Sequence, residues 1–406
     1  MSRIRRRALL ASSAAFAFAP AIVRAQKKYD PGVSDKEIKL GHTNPYSGPL
    51  SAYGVIGKGI AAYWNMVNDG GGINGRKVTF ITYDDGFQPP KTVEMVRKLV
   101  EDDGVFSTYQ LLGTATNTVV QKYLNQKKVP QLFVATGASK WGNPKEFPWT
   151  MGWQPDYVSE ATIYAKHILA NHKGARIGVL YQNDDAGKDY LHGFQRGLGK
   201  DNEKQVVAAM SYEATDPTVD SQVIQIKSSG AEVFFNACAP KAAAQAIRKV
   251  ADLGWKPAHY LANVSASVAS TLKPAGLENS KGILTAYYLK DPTDPQWETT
   301  PDFVEWKAFM TRYMPGANMS DASYVYAYSV STTMRHVLAQ CGNELTRANL
   351  MKQAASLKDL VVPLLLPGIK INTSPTDFYP IQSLCLARFD GETWKLFGDV
   401  ISGDTA

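Results

Sequence analysis

Cysteine is scarce, with three in 406 residues. That excludes a disulfide-dense secreted scaffold, which packs many cysteines into a short chain. Cys341 and Cys385 could pair in an oxidising compartment, leaving Cys238 as a small residue at a strand end. Histidine is almost as sparse. None of the six stands at H-E-x-x-H spacing, and His167 and His172, five apart at a helix end, suit solvent near the C-terminal dipole better than a metal. The chain has no G-x-S-x-G elbow and no Walker loop for nucleotide phosphates. Nor does any apolar run approach the roughly 20 residues of a membrane span. The formal net charge is +7, but five arginines and no acid fall within the first 25 residues, so the remainder carries +2. No basic cluster follows, which sets nucleic acid aside as a partner. Neither a metal nor a cofactor is expected.

What is present describes a folded, exported chain. Hydrophobic residues make up 44% and charged residues 20%, ordinary for compact domains, and the length allows two or more of them. Residues 1–25 join a basic start to an Ala-rich apolar stretch, Ala8 to Val23, and end in Val23-Arg24-Ala25. This reads as a signal peptide cleaved after about Ala25, which implies the periplasm. Paired arginines before Ala8-Leu9-Leu10 resemble a twin-arginine signal, and Sec export stays open.

From residue 37 onward strands and helices alternate. EIKLGHTN, RKVTFITYDD, VFSTYQLL and QLFVA read as strands, with helices at 52–68, 91–100 and 117–127 between them. After an aromatic, Pro-punctuated stretch from Trp141 to Pro155 the alternation restarts through RIGVLYQ, VVAAMSY and EVFFNA, with helices at 157–172, 188–198, 219–228 and 242–253. This is the pattern of parallel sheets covered by helices on both faces. A strand at GILTAYYL precedes three helices, and the chain closes with SLCLARF and TWKLFGDV around Asp390-Gly391, a hairpin signal. Helices placed after the second alternation imply that the chain returns to its first half, so several segments cross between halves and form a hinge.

GGGING, Gly70 to Gly75, matches a dinucleotide fingerprint but follows a helix and precedes a strand, the reverse of the order a cofactor needs. It reads as a helix stop and an Asn74-Gly75 turn. Six polar or Gly-rich segments stand at strand ends: NPYSGPLSAYG, GTATNT, ATGASKW, NDDAGKDY, NACAP and NVSAS. Most lead into a helix, whose unpaired N–H groups and partial positive charge suit a carboxylate. Capping alone explains any one of them. Six such loops facing one cleft favour a ligand.

IKLGHTNPYSGPLSAYGVIGKGIAAYWNMVNDGGGINGRKVTFITYDD, KKVPQLFVATGAS and RIGVLYQNDDAGKDYLHGF together resemble the periplasmic solute-binding proteins of branched-chain amino acid importers, the Leu/Ile/Val-binding family. The resemblance covers essentially the whole mature chain. It implies an α/β fold of two doubly wound parallel-sheet lobes joined by three crossing strands, the type I fold. The expected division is 26–151 plus 285–370 for one lobe and 152–284 plus 371–406 for the other. It also implies a non-enzymatic monomer that closes over a small carboxylate-bearing solute and hands it to an ABC permease and its ATPase. Family ligand positions carry over to Thr116, Asn117, Thr136 and Ser139 for the carboxylate, with Tyr46, Ser47, Asp185, Ala237, Asn263 and Tyr287 completing the expected site. Asp185-Ala186-Gly187 stands where many members have Asp-Tyr-Gly, and Asn263-Val264-Ser265 where an acid often meets the α-amine. An aromatic or aliphatic acid without an amine is therefore favoured over a hydrophobic amino acid, and Tyr53, Trp141 and Tyr288 are further candidates for its surroundings. A ligand sensor, or an enzyme on the same scaffold, is the alternative.

Overall fold

A computed structural model describes residues 28–403; the expected signal peptide, 1–25, lies outside them. In chain order the first half holds strands β1 (Lys28–Tyr29), β2 (Glu37–Asn44), β3 (Lys77–Asp84), β4 (Ser107–Tyr109), β5 (Gln131–Val134) and β6 (Thr150–Gly152). Helices α1 (Gly54–Asp69), α2 (Pro89–Glu101) and α3 (Thr114–Lys127) connect them. Strands β2 to β6 form a five-stranded, wholly parallel sheet in the order β3-β2-β4-β5-β6. The second half runs through α4 (Tyr157–Asn171), β7 (Ile177–Gln182), α5 (Asp185–Leu198), β8 (Val206–Tyr212), α6 (Asp220–Ser228), β9 (Val233–Ala237), α7 (Pro240–Asp252) and β10 (Ala258–Leu261). Two short helices, α8 (Lys273–Ala275) and α9 (Leu277–Ser280), lead to β11 (Leu284–Tyr287). Next come α10 (Pro301–Tyr313), α11 (Ala322–Gln340), β12 (Glu344–Leu345), α12 (Arg347–Ala354), β13 (Ser383–Phe389) and β14 (Trp394–Ser402).

The second sheet has seven strands, β14-β13-β11-β10-β9-β7-β8, parallel except where β13 runs against β11 and β14. All four residues of β11 pair with β13, so the expected boundary at 284/285 falls inside a strand of this sheet. Both α10 and α11 pack on α1, returning the chain to the first sheet, while β12 pairs with β1. The chain thus passes between sheets after β6, after β11 and before β13. Two of these passages bond to each other: Lys290 N donates to Leu364 O at 2.8 Å and Leu366 N to Tyr288 O at 3.0 Å.

Local sequence explains the element ends. Gln110 at φ +57° turns the extended backbone just after β4, which ends well short of the eight residues its apolar run predicts. Asn74 at φ 49° and Gly75 at φ 80° make the tight turn of GGGING, closed by paired bonds between Ile73 and Arg76. One expectation is corrected. Cys341 and Cys385 are free thiols, as is Cys238. Cys341 caps α11 with its Sγ on Val337 O, whereas Cys385 lies mid-strand in β13 with its Sγ toward the β14 backbone, so neither presents its sulfur to the other.

Candidate functional site

The carboxyl ends of the two sheets face each other around a cavity of about 150 Å³. From the first sheet's side it is walled by Leu50, Tyr53 and Ile56 at the start of α1, by Gly113 and Thr114 at the start of α3, and by Thr136 beyond β5. Ala322 to Tyr326, opening α11, adds a further face. From the second sheet's side come Tyr157 of α4, Asp184, Ala186, Gly187 and Tyr190 around the start of α5, Ala237 to Ala239 after β9, and Asn263, Ser267, Tyr287 and Tyr288.

Several helices therefore begin at this cavity. Three have their N-terminal amides capped by acids: Asp156 accepts from Ser159 N of α4 at 3.0 Å, Asp184 from Gly187 N of α5 at 3.1 Å, and Asp321 from Ser323 N of α11 at 3.0 Å. Helix α3, like α1 and α7, has no side-chain cap; its N-cap is Gly113, which has no side chain to offer. Its free amides and dipole are open to an anion. Beside them the hydroxyls of Thr114 and Thr136 bond to each other.

Six tyrosines line the cavity, and Tyr157 and Tyr190 stack at 4.4 Å. Burial pushes Tyr157 up to about 12 and holds Tyr190, Tyr287 and Tyr288 well above the phenol range, so all remain hydroxyl donors. Among the described residues of the wall the one cation, Lys290, is already committed: its Nζ lies 2.6 Å from Asp302 Oδ1. A ligand anion would therefore be met by dipoles and hydroxyls rather than by a free positive charge.

Of the residues singled out from the sequence, Thr136, Ala237, Asn263 and Tyr287 line the cavity, as do the candidate aromatics Tyr53 and Tyr288. The others do not. Thr116 and Asn117 lie inside the first turn of α3: Thr116 Oγ1 donates to Leu112 O and Gly113 O, and Asn117 Nδ2 donates to Leu111 O at 2.7 Å. Tyr46 and Ser47 build the loop after β2, with Tyr46 hydroxyl on Thr82 at 2.6 Å and Ser47 Oγ on Asp84 at 2.6 Å. Trp141 is buried beside Val134 and Ala138.

Ser139 and Asp185 serve the rim instead. Ser139 N donates to Asp189 Oδ2 at 2.7 Å, and Lys140 Nζ reaches Asp185 Oδ2 at 2.8 Å, both between the loop after β5 and α5. Lys140 holds the Asp185 carboxyl below its usual range. Tyr53 hydroxyl on Val264 O at 3.1 Å and Ser267 Oγ on Asp321 Oδ1 at 3.1 Å add two more contacts across the gap. The structure is a closed one.

Thr114, Asp184, Tyr190 and Cys238 come to the wall from the segments GTATNT, NDDAGKDY and NACAP, whereas Tyr157 in the wall and Glu160 behind it gave no signal in the sequence. Glu160 is 2% exposed. Its Oε1 accepts from Tyr164 hydroxyl at 2.8 Å and Asn263 N at 2.7 Å, and its Oε2 from Tyr190 hydroxyl at 3.0 Å. Burial raises it to about 7. Helix α4 buries every residue from Tyr157 to Ala165, so a glutamate there had no periodicity to reveal it.

The comparisons with known proteins agree on the frame. A family model described as "Periplasmic binding protein" matches residues 37–393. Over 205 residues, 49% of the chain, it is 26% identical to a Leu/Ile/Val-binding protein homolog 3 of Brucella melitensis biotype 1, and spans about half (54%) of that relative's length. A branched-chain amino acid ABC transporter protein from Thermus thermophilus, solved with bound valine, superposes with a TM-score of 0.82 at 14% identity, covering 92% of this chain and 98% of that one. A solute-binding protein of an ABC transporter from R. palustris, solved with 4-hydroxybenzoate, gives 0.74 at 18% identity, covering 91% and 98%. With the family model running across nearly all of both sheets, and the two-lobed frame shared by both solved proteins, the chain belongs to the periplasmic binding protein family and has its type I fold.

Proposed function

We propose that this chain is the exported substrate-binding component of an ABC importer. It encloses one small carboxylate-bearing solute between its lobes and presents the closed form to a permease, without transforming the solute. The observation that carries the reading is the uncapped start of α3, set against the Thr114 and Thr136 hydroxyls at one end of a tyrosine-lined interlobe cavity. Fixed amides and hydroxyls hold a carboxylate with little reorganisation. A volume of about 150 Å³ is also the size of engineered apolar cavities that take up benzene. That suits an acid with a single ring or a short aliphatic chain. The valine and 4-hydroxybenzoate seen in the two solved proteins fall within this class.

Of the contacts expected from the sequence, the proposed site keeps Thr136, Ala237, Asn263 and Tyr287, and adds Thr114, Tyr157 and Tyr190. The closing bodies follow the expected division with its boundary moved past β11, to 26–151 with 288–370 and 152–287 with 371–406, because β11 belongs to the second sheet. Export after cleavage near Ala25 fits the basic-apolar leader.

A thermal-shift screen of aromatic acids, aliphatic acids and hydrophobic amino acids tests the reading. A ligand that binds only the folded state stabilises it by about 2.7 kcal/mol at a hundredfold excess over Kd. At least one acid is expected to raise Tm and to be recovered chemically unchanged. A screen with no shift overturns binding, and a recovered product overturns the non-enzymatic assignment.

A further inference from the structure

Glu160 is a buried carboxylate with no counter-charge among the described residues. The titratable groups facing it are Asp156 on its own helix and the hydroxyls of Tyr53, Tyr157, Tyr164, Tyr190 and Tyr288; none is a cation. Its hydrogen-bond partners are therefore neutral donors, and two of them, Tyr190 and Asn263, form the cavity wall. The two oxygens are unequally engaged. Oε1 accepts two hydrogen bonds and Oε2 accepts one, from the Tyr190 hydroxyl.

We infer that Glu160 takes up a proton when an anionic ligand is enclosed, and that this proton turns the Tyr190 hydroxyl into a donor toward the ligand. The inference rests on the proposed carboxylate-binding function. Two like charges enclosed together in a low dielectric cannot both remain ionised cheaply, so bringing in a carboxylate favours the protonated form of the acid behind the wall. The proton comes from solvent and settles on Oε2, the less engaged oxygen. A protonated Oε2 donates to Tyr190 Oη, which frees the tyrosine's own hydrogen to leave the carboxylate and bond to the ligand. The bonds from Tyr164 and Asn263 to Oε1 are retained. Glu160 is thus a positioning residue: it touches no ligand but sets what Tyr190 presents. Its burial, which brings the free-state pKa to about 7, places the coupling within reach of ordinary pH.

Calorimetric titration of the full-length mature protein with benzoate, run at pH 6, 7 and 8 in two buffers of different ionisation enthalpy, reads the protons taken up. Benzoate is fully ionised throughout, so any linked proton belongs to the protein. If benzoate gives no heat, the acid with the largest thermal shift replaces it. The expected results are net proton uptake above pH 7 and an affinity that weakens toward tenfold per pH unit there. Glu160→Gln, whose amide donates to Tyr190 as the protonated acid would, should bind with pH-independent affinity and take up no proton. Tyr190→Phe should weaken binding at pH 6 and flatten the pH profile. Binding without uptake overturns this inference alone, as does proton release, the sign expected if a ligand cation faced Glu160. Uptake that persists in Glu160→Gln assigns the proton elsewhere and also overturns it. Failure of every acid to bind overturns the function it rests on.

Discussion

At residue scale, the same glutamate makes a claim about stability that needs no ligand. Its folded-state pKa, about 7, lies above the unfolded value of 4.5, so between those values the folded chain holds a proton that the unfolded chain has released. Stability therefore falls as pH rises from 4.5 through 7, and a shift of this size corresponds to about 3 kcal/mol of lost stability above it. Asp291, raised to about 6 by burial, acts with the same sign. Burial lowers His42 to about 4 and His259 to about 3, and these work in the opposite sense, costing stability as pH drops below 6.5. In wild type the two effects largely offset each other between pH 5 and pH 8. Urea denaturation of wild type and Glu160→Gln at pH 5 and pH 8 separates them: without the Glu160 contribution, the variant's stability should rise from pH 5 to pH 8 by about 2–3 kcal/mol more than that of wild type. Parallel pH profiles in the two proteins would remove Glu160 from the balance. Such a residue is invisible in sequence because a glutamate outside any motif looks like an ordinary solvated helix position. Thr136, Ala237, Asn263 and Tyr287, by contrast, sit at or near strand ends, where an open parallel sheet places its ligands, and position in the chain was enough to find them.

At element scale, the alternation of strands and helices was legible because central strands such as β5, β7 and β9 are short apolar runs and helices such as α7 carry one apolar face. Helix starts were less so, which is why Thr116 and Asn117 fall outside the cavity wall. Read from its polar residues, α3 begins at Asn117 with Thr116 as a cap, whereas it begins at Thr114 behind Gly113. The reason is backbone geometry: Gly113 sits at φ 96°, a conformation few other residues adopt, and it turns the chain directly from the strand end into the helix. A Cβ added there would lie 2.3 Å from Phe87 Cε2 and 2.8 Å from Thr116 Oγ1. Gly113→Ala is accordingly expected to lose about 1–3 kcal/mol of stability through strain and collision. Because the helix start would shift with it, affinity for the screened acid should fall at least tenfold at a temperature where the variant remains folded. Unchanged affinity alongside lowered Tm would show that the α3 amides do not hold the ligand. The Thr116 and Asn117 side chains, which tie that turn to Leu111, Leu112 and Gly113, should behave differently when cut to Ala, with stability lost before affinity.

At the scale of the molecule, the question is how strongly the closed arrangement is held without a ligand. Its rim contacts are few and polar. The Lys140–Asp185 pair has side chains 29% and 52% exposed, and partly exposed pairs are worth at most about 1 kcal/mol. Asp189, whose carboxyl burial pushes upward, accepts from Ser139 N, while Tyr379 hydroxyl donates to Ser139 O at 2.6 Å. Contacts of this size bias an equilibrium without locking it, so the ligand's own contacts with both lobes must supply the rest. The chain carries a reporter for that equilibrium. Cys238 is a free thiol in the cavity wall, 1% exposed in the closed form, so parting of the lobes is expected to uncover it. In a Cys341→Ala, Cys385→Ala background a small neutral thiol reagent should modify Cys238 slowly, because burial holds the thiol protonated. Saturating acid should slow the reaction further, by at least tenfold, while Lys140→Ala in the absence of ligand should speed it a few-fold and lose that acceleration at high salt. Equal rates with and without a bound acid would mean that Cys238 is reached by local opening, and that the lobes do not part as bodies around the cavity.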